Sequence, residues 1–160
     1  MSGEPTIKTT FLCEARIPLE VPIDSGTSPE GQRMVFVVKQ GTVTGPRLNG
    51  SVLGGSGADW ARIRPDRSGA LDVRFNIETD DGAILYCAWL GIMQFAAPDA
   101  EYALDFAKPD DPAGASRYYF RSSPRFETGD ARYAWLNIKV CVCKSRTGNG
   151  GVIHQIFVVE

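Results

Sequence analysis

The chain has 160 residues, a hydrophobic content of 43% and a formal net charge of −2 at pH 7. This length fits one domain, residues 1–160, with a core of its own, and the hydrophobic content is too high for a disordered chain. The 17 basic and 19 acidic residues give no strong long-range field, so neither nucleic acid nor an anionic membrane is expected as a partner.

The N-terminal segment has neither the basic start nor the apolar core of a signal peptide, and no apolar run reaches the roughly 20 residues that cross a bilayer. The four cysteines fall within strand-like segments, where reduced thiols behave as small apolar side chains. The sequence therefore predicts a cytoplasmic protein without structural disulfides.

Short runs rich in Val, Ile, Phe and Tyr recur between Gly, Pro and Asp residues, and helical periodicity is almost absent. The chain is predicted to be all-β, with strands at residues 6–19, 33–43, 48–53, 60–64, 70–78, 83–93, 117–125, 132–144 and 151–159. Turn sequences such as "TDDGA" and "TGNGG" indicate hairpins, so successive strands are expected to be antiparallel neighbours. Residues 97–116 interrupt this pattern and predict either a short helix or a mobile loop that acts as a lid.

The number of strands favours a closed structure. Short strands in an open sheet would leave edges exposed and one apolar face unburied, so they must close into a barrel or split into a sandwich. We favour a single antiparallel β-barrel of about eight to nine strands. The segment "AILYCAWLGIM" is apolar on both faces, so its outer face needs a cover as well, and a homodimer interface is the simplest one.

The predicted strand at residues 70–78 has two different faces. One face carries Leu71, Val73, Phe75 and Ile77, and the other carries Asp72, Arg74, Asn76 and Glu78. If the polar face lines a pocket, Arg74 anchors a substrate oxygen, and a desolvated Asp72 with a raised pKa acts as a general acid or base. If it faces water, the same residues form ordinary surface ion pairs.

Two further stretches favour a binding site. In "RYAWLNIKV", Tyr133, Trp135 and Asn137 share one face of a predicted strand, and amphipathic aromatics beside an amide suit the wall of a small-molecule pocket. In "GGSGADW", Asp59 and Trp60 follow a glycine-rich stretch, where the backbone can approach a ligand closely. The alternatives are an exposed strand with incidental aromatics, and an aspartate that only bonds turn amides.

His154 is the only histidine, so a Ser-His-Asp triad or a two-histidine metal site lacks its parts. Cys141 and Cys143 share a strand face and could meet His154 if the last two strands pair, but their spacing fits no recognised zinc motif. We therefore expect no metal and no cofactor, and we interpret His154 as an ordinary strand residue.

The order of several short motifs resembles domain-of-unknown-function family 3237, a family of small β-barrel proteins. The motifs are "GQR" at residues 31–33, "GTVTGPRLNGSVLGG" from Gly41, "ADW" at 58–60, "LDVR" at 71–74, "TDDGAILY" at 79–86, "YYFRSSPRFET" from Tyr118 and "YAWLN" at 133–137. The resemblance implies one antiparallel barrel, often dimeric, with a lumen similar to those of allene oxide cyclase and dirigent barrels. The candidate site residues at the matching positions are Arg33, Asp59, Trp60, Asp72, Arg74, Tyr86, Arg121, Tyr133, Trp135 and Asn137.

Two functions fit such a pocket. The first is a cofactor-free enzyme that cyclises, isomerises or dehydrates a small aromatic or polyketide-like substrate by acid/base catalysis. In it, Asp59 or Asp72 moves the proton and Arg74 or Arg33 stabilises an oxyanion, while the aromatic candidates form the pocket walls. The second is a non-catalytic binding or carrier protein for a hydrophobic ligand. A structural subunit without a pocket is a third possibility.

Overall fold

The computed structural model describes residues 3–160, and eleven strands form one antiparallel sheet. The strands are β1 Thr9–Pro18, β2 Ile23–Ser28, β3 Gly31–Val37, β4 Gly41–Thr44, β5 Gly50–Val52, β6 Ala58–Ile63, β7 Gly69–Thr79, β8 Ile84–Gln94, β9 Tyr119–Glu127, β10 Cys141–Gly148 and β11 Gly151–Val159. Their order is β2-β3-β6-β7-β5-β4-β1-β11-β10-β9-β8, and β8 also pairs with β7. The eight strands from β7 through β5, β1 and β11 to β8 therefore close into a barrel, and β6, β3 and β2 extend the sheet beyond it. This confirms the predicted all-β class and the antiparallel barrel.

One edge of β7 is shared by two strands. β5 pairs with its C-terminal end, where Val52 lies opposite Ile77, and β6 pairs with the remainder, starting with Ala58 opposite Arg74. Gly57 precedes β6 at the point where the chain passes close to β7, and a Cβ atom there would collide with the carbonyl oxygen of Arg74. The absence of a side chain at Gly57 therefore allows β6 to continue along β7.

The barrel interior is filled with side chains. Its largest fully buried members include Leu12, Leu48, Phe75, Ile77, Leu85, Phe120, Leu136 and Ile156. An eight-stranded barrel encloses a space that is just wide enough for side chains to fill. The interior therefore acts mainly as the hydrophobic core.

The segment between β8 and β9 packs over one end of the barrel. It contains the short helix α1, Ala100–Leu104, followed by a 3-10 helix at Gly114–Arg117. Phe106 stacks on Phe36 of β3 with ring centroids 5.6 Å apart, and the carbonyl of Phe106 accepts a hydrogen bond from the Gly150 N–H at 2.7 Å. Two alternatives were predicted for residues 97–116, a short helix or a mobile loop, and the structure contains the short helix.

The prediction for residues 132–144 is wrong in its first half. A 3-10 helix at Ala134–Ile138 occupies that part, and β10 begins only at Cys141. Leu136 is fully buried and fixes this helix on the core, so the apparent alternation in "YAWLN" is not that of a strand. The structure also adds the exposed hairpin strand β2, which the sequence pattern did not indicate.

Within residues 3–160, no helix is both long and apolar enough to cross a membrane. All four cysteines are buried, and none is in a disulfide.

Candidate functional site

The polar residues of β7 lie outside the barrel. Val73 and Phe75 are buried in the core, and Asp72 and Arg74 alternate with them, so these two side chains point the opposite way and are 38% and 52% exposed. Of the two orientations open from the sequence, the structure has the outward one for Asp72 and Arg74, so they do not line the interior, because the apolar row already fills it. Outside, Arg74 Nη2 and Asp72 Oδ2 form an ion pair at 3.0 Å.

The outer face of the sheet carries a groove of about 800 Å³, which we call the arginine groove. It is lined by Arg33, Trp60, Arg62, Arg64, Ala70, Leu71, Asp72, Leu90, Gly91, Ile92, Tyr119, Arg121, Ser122, Ser123, Val142 and Cys143. The structure thus brings together four of the residues predicted from the sequence, namely Arg33, Trp60, Asp72 and Arg121. The prediction missed Arg62 and Arg64, although "WARIR" places them on the same strand face as Trp60.

A single row of residues across the strands forms the centre of the arginine groove. The register sets Arg33 opposite Arg62, Arg62 opposite Ala70, Ala70 opposite Ile92 and Ile92 opposite Arg121. Arginines therefore stand at both ends of the row, and small or apolar side chains form its floor. At about 4.8 Å between neighbouring strands, the backbones of Arg62 and Arg121 lie roughly 14 Å apart.

The ladder between β6 and β7 is interrupted beside the groove. The pairs Asp59–Val73 and Arg62–Ala70 form, but the two residues between them on each strand do not pair. Arg33 Nη1 instead donates a hydrogen bond to the Trp60 carbonyl oxygen at 2.6 Å, and the Asp72 N–H donates to Asp59 Oδ1 at 3.1 Å. We call this interruption the ladder break, and it holds the side-chain ends of both Arg33 and Asp59.

Asp59 is the carboxyl group with the strongest sign of chemistry. It lies opposite the core residue Val73, so its side chain starts from the inner face of the sheet. Burial raises the pKa of Asp59 to about 7, against the lowering effect of the Asp72 N–H and of Arg33. A carboxyl group with a pKa near 7 populates both protonation forms at neutral pH, as a general acid or base requires.

The remaining predicted residues lie away from the arginine groove. Tyr86 and Asn137 line a separate open hollow of about 540 Å³ near the start of β8. The side-chain amide of Asn137 is already hydrogen-bonded there: it accepts from the Thr128 N–H and donates to the Thr128 carbonyl, both at 2.9 Å.

Tyr133 and Trp135 hold the 3-10 helix in place. The Tyr133 hydroxyl donates to the Asp81 carboxylate at 3.0 Å, which ties the helix to the β7–β8 hairpin. The Trp135 ring packs on the core and lies 3.9 Å from the Arg47 guanidinium. Neither Tyr133 nor Trp135 lines the arginine groove.

A second polar cluster lies inside the barrel. Nδ1 of His154 lies 2.7 Å from Ser145 Oγ and 3.6 Å from Cys143 Sγ, so the anticipated meeting of Cys143 and His154 does occur. Burial lowers the pKa of His154 to about 3, and the imidazole is therefore neutral at physiological pH. The Trp89 ring packs edge-on at 5.2 Å from it, and the buried Trp89 Nε1 and Ser122 Oγ have no hydrogen-bond partner among the described residues.

The sequence did not single out Ser145, Ser122 or Trp89. These residues share a position on the inner face of β10, β9 and β8. That feature can be recognised only when it is known which face of each strand points into the barrel. No group of three or more His, Cys, Asp or Glu side chains within residues 3–160 is arranged to hold a metal ion.

Comparison with known proteins identifies the family to which the chain is similar. A family model described as "Protein of unknown function (DUF3237)" matches residues 7–159. A UPF0311 protein from Bradyrhizobium diazoefficiens is 35% identical over 156 residues, which cover 96% of this chain and 99% of that protein. The crystal structure of a conserved protein of unknown function from Rhodopseudomonas palustris is similar with a TM-score of 0.87 at 29% identity, covering 98% of this chain and 99% of that one.

A crystal structure described as an enzyme from Penicillium herquei has a TM-score of 0.71 at 19% identity and covers 100% of both chains, which shows a likeness of fold alone. The match of the family model over nearly the whole chain confirms the resemblance carried by the short motifs. The chain therefore belongs to the DUF3237 family.

Proposed function

We propose that the protein is a cofactor-independent enzyme that binds a small, partly aromatic molecule in the arginine groove and moves a proton with Asp59. The observation that carries this proposal is that a carboxyl group of pKa about 7, Asp59, and the Arg33 guanidinium both lie at the ladder break. Cyclisation, isomerisation and dehydration of carbonyl compounds all need a proton transfer beside a stabilised oxygen anion. Asp59 and Arg33 supply these two parts.

Arg33 is suited to hold a developing negative charge. Its hydrogen bond to the Trp60 carbonyl fixes the guanidinium at the ladder break, and further N–H donors remain on the same group. When Asp59 removes a proton from the carbon beside a substrate carbonyl, the electron pair of the C–H bond moves onto the carbonyl oxygen. Arg33 then stabilises that enolate oxygen, and Asp59 returns the proton to another atom of the substrate.

The apolar body of the substrate has partners in the groove. Leu90 and Tyr119 are 68% and 53% exposed, and Trp60 lines the groove from β6, on the other side of the ladder break. Exposed aromatic and aliphatic side chains beside a few polar groups are typical of small-molecule sites.

Exchange of carbon-bound hydrogen tests the proton transfer directly. A panel of aromatic ketones, beginning with 2-tetralone, is incubated with the protein in D₂O, and NMR measures the loss of the signals from the hydrogens beside the carbonyl. The wild-type protein is expected to accelerate the exchange, with a rate that rises with pH until Asp59 is ionised, above about pH 7. Asp59→Asn is expected to lower the rate by about 100-fold or more, the usual effect of a lost general base.

The matched control is Asp80→Asn, because Asp80 is exposed in the turn of the β7–β8 hairpin and belongs to neither the groove nor the ladder break. It is expected to leave the exchange rate unchanged. Equal exchange with wild-type protein, with Asp59→Asn and in buffer, for every ketone of the panel, would contradict the enzymatic proposal.

A binding or carrier role is the second candidate, and the exposure of Leu90 and Tyr119 favours it. Apolar surface of this extent in a groove is commonly covered by a ligand whether or not chemistry follows. In that case Asp59→Asn keeps the ligand affinity of the wild-type protein and no ketone exchanges.

We also infer a cytoplasmic homodimer. Ile84 exposes apolar surface at the start of β8, outside the lining of the arginine groove, so a second copy of the chain can cover it without closing the groove. The unpaired cysteines fit a reducing compartment. Light scattering measures the mass, and a monomer at micromolar concentration would contradict the dimer.

A further inference from the structure

We infer that the ligand of the arginine groove is a flat aromatic carboxylate, held through its carboxylate groups by the arginines at the ends of the groove. This inference rests on the proposed ligand site, but it does not depend on proton transfer by Asp59.

The charge of the groove is opposite to that of the chain. The lining contains four arginines and one aspartate, whereas the whole chain has a formal charge of −2. A concave surface that gathers charge of one sign raises the local concentration of oppositely charged ligands. The groove therefore favours an anion over a neutral ligand of the same shape.

Two of these arginines repel each other. Arg33 and Arg62 lie directly opposite on neighbouring strands, an arrangement that is destabilising for like charges. Arg33 bonds a neutral carbonyl, and Arg62 Nη1 lies 3.5 Å from the carboxylate of Glu30, a side chain that is 80% exposed. Neither contact offsets the repulsion strongly, because an exposed ion pair contributes little. A bound carboxylate would remove it.

Arg62 also presents a donor without an acceptor. Its Nε is buried and has no hydrogen-bond partner among the described residues. A buried N–H of a charged group is costly when it is left unsatisfied. A carboxylate offers two parallel acceptor oxygens that match the edge of a guanidinium, and the Arg62 side chain, 41% exposed, presents such an edge to the groove.

The floor and the far end of the groove define the rest of the ligand. Ala70 and Ile92 lie between Arg62 and Arg121 in the central row, and the small Ala70 leaves room for a flat apolar body. Arg121 uses one terminal nitrogen to donate to the Phe120 carbonyl at 2.9 Å, which leaves its other donors for a second anionic group. A bicyclic ring with a carboxylate at each end therefore uses both ends of the row.

Calorimetric titration with three matched compounds tests this assignment. The expected order of affinity is 2,6-naphthalenedicarboxylate, then 2-naphthoate, then the neutral 2-naphthamide, with about tenfold between successive members, the size expected for a charge-assisted contact. The affinity of both carboxylates is expected to fall as salt is raised, and that of the amide to stay constant. Equal affinities of 2-naphthoate and 2-naphthamide, or tighter binding of 2-naphthyl phosphate than of 2-naphthoate, would overturn the inference.

Substitutions locate the carboxylates. Arg62→Gln is expected to weaken both naphthalene carboxylates about tenfold, and Arg121→Gln to bring the dicarboxylate down to the level of 2-naphthoate. The matched control is Arg125→Gln, which makes the same change of charge on the same outer face of β9 but outside the groove lining. Circular dichroism checks that each variant is folded. Carboxylate affinity that survives both Arg62→Gln and Arg121→Gln would overturn the inference.

The two proposals fail separately. If 2-tetralone exchanges in an Asp59-dependent way but the carboxylates bind no better than the amide, the proton-transfer function stands and the ligand class is wrong. If the carboxylates bind in the expected order and no ketone exchanges, the ligand class stands and the enzymatic function is wrong.

Discussion

The inner and outer faces of the β7–β8 pair differ sharply in burial and polarity. On the inner face the Phe75 and Trp89 rings pack edge-on with centroids 4.9 Å apart, and both are buried. On the outer face Asp72, three residues before Phe75, and Leu90, one residue after Trp89, line the open arginine groove. The contrast teaches that this eight-stranded barrel uses its interior for stability, because the interior is full, and has its accessible polar groups on the outside.

The same contrast separates two titratable groups, His154 and Asp59. His154 lies deep in the interior beside Ser145, and burial keeps it neutral. Asp59 starts from the inner face as well, but its carboxyl group reaches the ladder break beside Arg33. Burial shifts both pKa values toward the neutral form, and of the two groups only Asp59 lies near a charged partner, Arg33, at the ladder break.

The largest expected effect is on the free energy of unfolding, when neighbouring residues on the inner and outer faces of β7 are each replaced by alanine. Phe75→Ala removes a fully buried ring and is expected to lower the free energy of unfolding by about 4 kcal/mol. Arg74→Ala removes one partner of an exposed ion pair and is expected to cost less than about 1 kcal/mol. Urea unfolding followed by far-UV circular dichroism measures both. Similar costs at the two positions would break the assignment of inner and outer faces.

The sequence predicted the strands and the two faces of β7 well, but not which face is inside. Alternation separates Asp72 from Val73, and only the width of the closed barrel decides that the apolar row enters it. In "YAWLN", Tyr133 and Trp135 alternate as in a strand, yet the burial of Leu136 fixes a 3-10 helix. A local pattern could not distinguish these cases, because tertiary packing decides them.

Individual residues of the candidate site could be predicted from the sequence, but the way in which they come together could not. Asp59, Trp60 and Arg33 were named from short motifs, and the structure places all three at or beside the ladder break. The row that joins Arg33 to Arg121 crosses five strands, so it depends on the register of every pair between them. No local pattern specifies that register, and the interruption of the ladder cannot be read from either strand alone.

The pH dependence of unfolding tests whether His154 is held neutral in the barrel interior. The pKa of His154 is about 3 in the folded protein and close to 6.5 when unfolded, so its stabilising contribution is complete above pH 6.5 and is lost as the pH falls toward 3. At pH 4.5 this loss amounts to about 3 kcal/mol. His154→Gln removes the titration, so the difference in unfolding free energy between pH 7 and pH 4.5 is expected to be about 3 kcal/mol smaller in the variant. Equal differences in the two proteins would show that His154 is not held neutral by burial.

The smallest effect concerns stability at the ladder break, and it has the opposite sign. The pKa of Asp59 is about 7 in the folded protein and near 3.8 when unfolded, so a rise in pH from 4 to 7 ionises the carboxyl group first in the unfolded chain and destabilises the fold. Asp59→Asn stays neutral and keeps an oxygen that accepts the Asp72 N–H. The full pKa difference corresponds to about 4 kcal/mol at pH 8. Asp59 is only half-buried and an amide oxygen accepts the Asp72 N–H less strongly than a carboxylate, so urea unfolding is expected to show the variant about 2 kcal/mol more stable than the wild-type protein at pH 8 and nearly equal to it at pH 4. A variant less stable at pH 8 would mean that Asp59 supports the fold. A more stable one means that the carboxyl group is retained at a cost in stability, as is common for residues that serve function.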